Sequence, residues 1–307
     1  MKDPAFYREN PWYRRDDVSF LCVWDVGENR ETVLCETDTL IEAPNWSKDG
    51  RSLYVNRNGR IVRYDLASGE FEEIPSDYAD ACNNDHVLSP DGKRIAVSHN
   101  TREDGQSRVY TLPLSGGVPR LITPLAPSYL HGWSPDGSTL CCCAERGGEY
   151  DVYAIPAEGG VETRLTDAPG LNDGPEYSAD GGHIWFCSVR SGLMQAWRMR
   201  PDGSEQTQMT EDPDFNLWFP HISPDGRLVT LLAYRKEDLK PHEHLPHKRV
   251  ELRLMDSDGG KMKTLARFFG GQGTINVNSW SPDSRRFAYV RYGIRGLTEK
   301  ELEAITE

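Results

Sequence analysis

The stretch that decides the fold is residues 132–142, which read GWSPDGSTLCC. Near-copies recur as NWSKDGRSLYV (45–55), VLSPDGKRIAV (87–97), EYSADGGHIWF (176–186), HISPDGRLVTL (221–231) and SWSPDSRRFAY (279–289). The serines of the six copies, from Ser47 to Ser281, are 42, 45, 44, 45 and 58 residues apart. Self-similarity at such a period is the signature of a repeat architecture.

Each repeat predicts four short strands. The first ends just before the serine, and Ser-Pro-Asp-Gly then favours a tight turn, since proline fixes φ and glycine tolerates positive φ. Residues 94–97 (RIAV) begin a second strand, residues 151–157 (DVYAIPA) exemplify the third, and residues 164–166 (RLT) exemplify the end of the fourth. Four antiparallel strands in 40–45 residues are typical of a β-propeller blade.

The termini predict how the ring closes. After the sixth serine, one further strand at 287–292 (FAYVRY) precedes a polar C-terminal tail at 293–307. The two missing strands are found at 19–26 (SFLCVWDV) and 31–37 (ETVLCET), after an N-terminal extension at 1–17. We therefore expect residues 1–307 to form one all-β domain, a six-bladed β-propeller closed by two strands from each terminus, with no exposed seam.

Composition excludes some classes of partner. The 307 residues include 35 basic and 48 acidic side chains, a net charge of −13, which argues against a nucleic-acid partner. There is neither an apolar run of about 18 residues for a membrane span nor an apolar stretch typical of a signal peptide near the N-terminus. Seven cysteines without a C-x-x-C pair indicate reduced thiols, so we expect a cytoplasmic protein.

The repeat resembles that of TolB, which also occurs in the propeller domains of prolyl oligopeptidase-type peptidases. The resemblance covers residues 18–292 and implies a TolB-like propeller, a fold that hosts many unrelated activities. The sequence lacks the G-x-S-x-G, G-x-x-x-x-G-K-[ST] and H-E-x-x-H motifs of common enzymes. The favoured interpretation is a binding or interaction module without catalysis.

One face of the ring is predicted to bind the ligand. The loops that precede the first strands share this top face with the loops that join second to third strands. They carry the candidate ligand-binding residues His86, His131, Arg146, Arg190, Trp218, His221, Arg235, Asn276 and Asn278, and also Asn83, Asn84, Asp85, Tyr129, Asn172, Asp173 and Glu176. A polar mouth with aromatic edges suits a small molecule, an oligosaccharide, or a peptide or protein. The alternative is that these loops are polar only because they are solvated.

The long fifth spacing predicts an insertion on the same face. About 14 extra residues fall at 234–249 (YRKEDLKPHEHLPHKR), between a second and a third strand. We expect a lid or rim in which His242, His244 and His247 approach His221. Converging imidazoles can bind a divalent metal ion, although a solvated loop is the alternative and no other cofactor is expected.

The insertion and the closing repeat also resemble, more weakly, the oligogalacturonate lyases, which are propellers with a manganese site of histidines and a glutamine. This resemblance implies an alternative function, a metal-assisted carbohydrate-active enzyme that uses the top face. Where those lyases supply a metal-binding histidine before the last inner strand, residues 276–279 here read Asn-Val-Asn-Ser. The six predicted blades also differ from the seven of the lyases.

Two recurrent residue types have a structural explanation. Trp46, Trp133 and Trp280 occupy one repeat position, which predicts core packing between blades. The repeat aspartates, such as Asp91 and Asp136, are expected to stabilise turns through local hydrogen bonds.

Overall fold

The computed structural model describes residues 16–298 and 300–302. The first strand begins at Asp17, which is the last residue of the predicted N-terminal extension. Along the chain the first two strands are β1 (Asp17–Asp25) and β2 (Arg30–Thr37). Blade 1 follows as β3 (Ile41–Trp46), β4 (Ser52–Arg57), β5 (Arg60–Asp65) and β6 (Phe71–Glu73). Blade 2 consists of β7 (Cys82–Leu88), β8 (Arg94–Asn100), β9 (Ser107–Pro113) and β10 (Arg120–Leu121).

The next three blades repeat the pattern of four antiparallel strands. Blade 3 consists of β11 (Ser128–Trp133), β12 (Thr139–Arg146), β13 (Glu149–Pro156) and β14 (Thr163–Arg164). Blade 4 consists of β15 (Asn172–Tyr177), β16 (Ile184–Ser188), β17 (Gln195–Met199) and β18 (Thr207–Gln208). Blade 5 consists of β19 (Phe215–Ile222), β20 (Leu228–Arg235), β21 (Lys248–Asp256) and β22 (Lys263–Gly270), and β23 (Arg286–Ile294) follows.

Blade 6 takes strands from both ends of the described chain. Its sheet has the order β2-β1-β23, and β1 pairs with β23 from Asp17 opposite Ile294 to Asp25 opposite Arg286. On the inner side, Trp280 forms an isolated bridge with Phe287. Contact between β23 and β3 completes the ring, so the predicted six-bladed β-propeller is confirmed across the described residues.

The predicted tail begins inside blade 6. β23 continues to Ile294, and Leu302 is buried in the same apolar cluster as Leu21 and Val290. Residues 303–307 of that tail and residues 1–15 of the predicted extension lie outside the described residues. No helix of the described chain is long and apolar enough to cross a membrane.

The repeat turns explain why the serine and aspartate recur. In blade 3, Ser134 Oγ donates to Asp136 Oδ1 at 2.6 Å and accepts from the Thr139 amide at 2.9 Å. The same serine-to-aspartate bond occurs in the other five copies, at 2.6–2.7 Å. Gly137, at φ 76°, occupies the left-handed region that glycine favours. The turn is therefore stabilised locally, which supports the structural explanation of the repeat aspartates.

The first strands of blades 1–5 each carry a register irregularity near the channel. In β19 it falls between Trp218 and His221, and in β15 between Asp173 and Glu176. Phe219 has a φ of 54°, which is unusual for a bulky side chain. A bulge re-aims the side chains around it, so these irregularities decide which residues face the channel.

Candidate functional site

A cavity of about 530 Å³ lies at the end of the channel away from the Ser-Asp turns. Blades 2, 3 and 4 contribute the starts of their first strands, and the insertion and the segment before Trp280 complete the wall. Polar side chains in its wall include Asn84, Asp85, Tyr129, His131, Asp173 and Asn276. This is the face that the sequence predicted to bind a ligand.

Three buried ionisable groups from three blades meet in this cavity. His131 Nε2 lies 3.1 Å from Asp173 Oδ1, which also accepts a 2.7 Å hydrogen bond from the Gly174 amide. His131 Nδ1 lies 3.4 Å from the carbonyl oxygen of Asn276. Asp85 accepts a 2.7 Å bond from Asn83 Nδ2. We call Asp85, His131 and Asp173 the buried triad.

The triad residues shift one another's ionisation. Burial alone would lower the pKa of His131, but the charge of Asp85 and the hydrogen bond to Asp173 raise it above its usual range. Burial would raise the pKa of Asp173, but the hydrogen bond and charge of His131 lower it. Burial raises the pKa of Asp85 to about 6, against the opposing charge of His131. At neutral pH the triad therefore contains two carboxylates and one imidazolium, a net charge of −1.

The insertion contributes the rim of the cavity. It joins β20 to β21, a second to a third strand as predicted, but it spans only 236–247, because 234–235 and 248–249 of the predicted range belong to these strands. His242 and His244 line the cavity. The His244 ring packs edge-on against Trp218, with centroids 4.4 Å apart, and its Nε2 lies 3.9 Å from Asp173 Oδ2. Burial lowers the pKa of His244 against the charge of Asp173, which favours the neutral imidazole.

The rest of the insertion is packed against the propeller. Leu239 is buried in the core cluster that spans blades 4 to 6, and the Leu245 carbonyl accepts from Tyr234 Oη at 3.5 Å. His247 Nε2 lies 2.9 Å from Asp17 Oδ2, and its ring stacks on Phe269. The insertion is therefore a rim fastened to blades 5 and 6.

The structure does not bring together the four histidines of the predicted metal site. His221 Nδ1 lies 2.6 Å from Glu176 Oε2, and its Nε2 contacts the carbonyl oxygen of Ile275. His247 is directed to Asp17, whereas His242 and His244 face the cavity. Within residues 16–298 and 300–302, no group of three or more His, Cys, Asp or Glu side chains is placed to hold a metal ion. The expected convergence fails because two of the histidines bond elsewhere.

Of the nine predicted ligand-binding residues, His131 and Asn276 line the cavity and Trp218 lies behind His244. The other six are placed elsewhere. His86 is fully buried, and its Nε2 lies 3.2 Å from the Tyr54 carbonyl oxygen. Asn278 donates a 2.6 Å hydrogen bond to Glu176 Oε1. His221 Nδ1 lies 2.6 Å from the other oxygen of that carboxylate, Oε2.

The three predicted arginines are also engaged away from the cavity. Arg146 pairs with Glu162 at 2.8 Å. Arg190 donates to Asn172 Oδ1 at 2.7 Å and lies over the Trp197 ring, and Arg235 lies over the Phe215 ring. These contacts tie neighbouring strands and loops together, and none of the three arginines lines the cavity.

The sequence placed Asp85 and Asp173 on the correct face without selecting them as candidates. A signal for part of the site exists in the repeat itself, at the position five residues before each repeat serine. That position is occupied by Glu42, Asn84, Tyr129, Asp173, Trp218 and Asn276, and four of these six side chains line the cavity. Asp85 lies four residues before its serine, and only the irregular register of β7 directs it to the same place.

A second cavity, of about 540 Å³, lies beside blade 6 between β22 and β23. Its arginines are already paired within the fold: Arg267 bonds to Glu251 at 2.7 Å and Arg295 to Asp38 at 3.1 Å. The channel cavity is the stronger candidate because its buried ionisable groups converge from several blades.

Comparison with known proteins places the chain in a family. The TolB β-propeller domain family matches residues 125–240. The uncharacterised protein Atu1656 of Agrobacterium fabrum is 46% identical over 271 residues, which span 88% of this chain and 91% of that protein. A solved Agrobacterium tumefaciens structure, provisionally assigned as TolB, is 44% identical with a TM-score of 0.86 and covers 90% of this chain and 99% of its own.

More distant relatives share less of the chain. The Tol-Pal system protein TolB of Francisella tularensis is 28% identical over 149 residues, and the match spans 47% of this chain but only 34% of that protein. An oligogalacturonate lyase in complex with manganese superposes with a TM-score of 0.55 at 18% identity, over 85% of this chain and 79% of its own. At that identity the likeness to the lyase shows the fold alone. The match to Atu1656 over nearly its whole length shows that the chain belongs to the TolB-like β-propeller family.

Proposed function

We propose that this TolB-like propeller is a binding module that holds a polar ligand in the channel cavity. The ligand is a small molecule, an oligosaccharide, or an exposed peptide segment of a partner protein. The observation that carries the proposal is the buried triad, whose three ionisable side chains come from three blades and face one cavity.

The physical argument rests on the energetic cost of buried charge. Taking a carboxylate out of water destabilises a fold unless it is paired and hydrogen-bonded. Asp85 and Asp173 are 3% and 7% exposed, yet both lie where a ligand would enter. Perturbed ionisable groups cluster at functional sites, and a cavity of about 530 Å³ has the size of known small-molecule sites.

The family supports an interaction role. The relatives matched by this chain include proteins named for the Tol-Pal system, and the propeller is the part that is shared. The rim formed by His242 and His244 would give a protruding peptide segment a further surface to contact. Metal-assisted carbohydrate cleavage is not proposed as a second function, since His221, one of its expected ligands, bonds to Glu176 and Ile275.

The proposed location is the cytoplasm. All seven cysteines are free thiols, and six of them are buried in the propeller. Fractionation of cells that produce the full-length natural protein would test this location. Recovery of the protein from the periplasmic or extracellular fraction would contradict this location.

The binding function can be tested with a panel of neutral oligosaccharides and short peptides in saturation-transfer NMR. A Glu149→Trp variant places a large ring at the cavity wall, because Glu149 is exposed and lines the cavity. Glu70→Trp is the matched control, since Glu70 is exposed between the outer strands β5 and β6 and does not line the cavity. We expect ligands that bind the wild type and Glu70→Trp but not Glu149→Trp. Binding that survives in Glu149→Trp, or a panel without binders, would contradict the proposal.

A further inference from the structure

We infer that the channel cavity recognises its ligand through a positively charged ammonium group that binds Asp85. This inference rests on the proposed binding function and names the chemical class of the ligand. Primary amines, amino sugars and the free amino terminus of a peptide share this group.

Asp85 has unused acceptor capacity in a nearly dry environment. The side chain is 3% exposed and lines the cavity. Its Oδ2 accepts from Asn83 Nδ2 at 2.7 Å, whereas none of the described residues donates a hydrogen bond to its Oδ1. A carboxylate oxygen can accept two hydrogen bonds, and Oδ1 is not one of the fully buried atoms, so it can be reached from the cavity. A donor supplied by the ligand would satisfy it.

The triad has one imidazole for two carboxyl groups, and only Asp173 is hydrogen-bonded to it, while Asp85 interacts with it through charge alone. The imidazolium of His131 is 3.1 Å from Asp173 Oδ1, and its second N–H faces the Asn276 carbonyl. Asp173 also accepts from the Gly174 amide. In the part of the chain that the structure describes, Asp85 has no ion pair with a lysine, arginine or histidine. One positive charge on the ligand would bring the triad to neutrality.

The surrounding wall also suits a cation with an apolar stem. Tyr129 and Tyr150 line the cavity, and aromatic faces attract ammonium groups. Leu171 and Val189 supply apolar surface next to them. The other ionisable groups that face the cavity are Glu149, His242, His244 and Cys143. An anionic ligand would instead meet three carboxylates, with a single imidazolium to offset them.

The experiment compares pairs of compounds that differ only in the ammonium group. Suitable pairs are 2-phenylethylamine with 2-phenylethanol, glucosamine with N-acetylglucosamine, and trialanine with its N-acetylated form. Affinities are measured by calorimetry at pH 7.5 for the wild type. We expect the amine of at least one pair to bind roughly tenfold more tightly than its neutral partner, as for charge-assisted hydrogen bonds. The pair with the largest ratio identifies the source of the ammonium group.

Two variants assign the preference to Asp85. Asp85→Asn keeps the shape of the side chain and removes its charge, so the preference for the amine should disappear. Asp225→Asn changes a repeat turn at the other end of the channel, and this variant should retain the preference for the amine. If Asp85→Asn fails to fold, the wild type is measured from pH 7.5 to 5, where protonation of Asp85 should reduce the ratio.

The outcomes separate the inference from the proposed function. Equal binding of amines and neutral partners, blocked by Glu149→Trp, would overturn the ammonium inference and leave the binding function standing. A preference for amines that persists in Asp85→Asn would also overturn it. If neither these compounds nor the neutral panel bind at the cavity, both the inference and the proposed function fail.

Discussion

Two aspartates in one cavity have opposite ionisation behaviour, and their hydrogen bonds explain the difference. Burial disfavours the ionised form of both aspartates. Asp173 receives bonds from His131 and the Gly174 amide, and its pKa is lowered. Asp85 receives one bond, from Asn83, and burial raises its pKa to about 6. A carboxylate kept charged with so few partners lowers the stability of the fold, as expected where function takes precedence over stability.

Asp85→Asn should therefore stabilise the protein at neutral pH. Because the folded-state pKa of Asp85, about 6, exceeds the unfolded value, the ionised form destabilises the fold. This destabilisation is absent below about pH 4 and complete above about pH 6. We expect the variant to gain on the order of 1–3 kcal/mol in unfolding free energy at pH 7.5 and nearly nothing at pH 4. Urea titrations at both pH values measure it, and a loss of stability at pH 7.5 would contradict the assignment.

Asp136→Ala should lower stability without affecting the cavity. Hydrogen bonds from Ser134 and Ser138 lower the pKa of Asp136 to about 2. A lowered pKa means that the ionised form stabilises the fold, so this contribution is present above about pH 4 and declines towards pH 2. We expect a decrease of a few degrees in the thermal midpoint at pH 7 and unchanged affinity for the amine probes. An unchanged midpoint with abolished binding would show a direct role in the site.

The insertion combines two tasks along twelve residues, 236–247. Its middle presents His242 and His244 to the cavity, and its end fastens to blade 6 through His247 and Asp17. The bulge in β19 belongs to the same arrangement, since the ring of Phe219, which lies within the bulge, is against His131, His221 and His244. The element is held in place before any ligand arrives, which reduces the entropic cost of binding.

Substitution of the two histidines should separate these tasks. His244→Ala removes a cavity wall residue and should weaken binding of the amine probes several-fold. His247→Ala removes the bond to Asp17 and the stacking on Phe269, and it should lower the thermal midpoint while affinity stays within about twofold. Calorimetry measures the affinity of both variants for the amine probes, and thermal unfolding measures their midpoints. Equal loss of affinity in both would show that the whole insertion acts as one unit.

For the molecule as a whole, blade 6 depends on segments from both ends of the sequence. β1 pairs with β23 along nine residues, and it contributes Leu21 and Val23 to the cluster that also contains Ala288 and Val290. The interface between blades 6 and 1 therefore requires the N-terminal strands.

Deletion of residues 1–37 should destabilise the whole ring. The deletion removes β1 and β2, so β23 becomes an unpaired edge and the apolar face of blade 6 is exposed. We expect loss of cooperative unfolding and self-association, measured by calorimetry and light scattering. A truncated protein that is monomeric and as heat-stable as the parent would contradict this account of closure.

The sequence alone determined the six blades, the strands of blades 1–5 and the position of the insertion, whereas the predicted inner strand of blade 6 is only an isolated bridge at Trp280. It could do so because each blade is specified by local chemistry: the serine and aspartate bond within their own turn, as Ser134 and Asp136 do. Alternating apolar residues then fix the second strand, and Trp46 and Trp133 are buried as their repeat position predicts. These interactions connect residues close together in the sequence, so the repeat reveals them.

Only the tertiary structure decided which polar side chains meet. His86 and His131 both lie three residues before a repeat serine, but His131 joins Asp85 and Asp173 in the cavity whereas His86 Nε2 lies 3.2 Å from the Tyr54 carbonyl oxygen. Successive members of the triad are 46 and 42 residues apart in sequence, and their placement around the cavity depends on the bulge in each first strand. A shift of one residue turns a side chain to the other face of a strand. The pattern of residue types could not reveal that shift, because it arises from the packing of each blade against its neighbours.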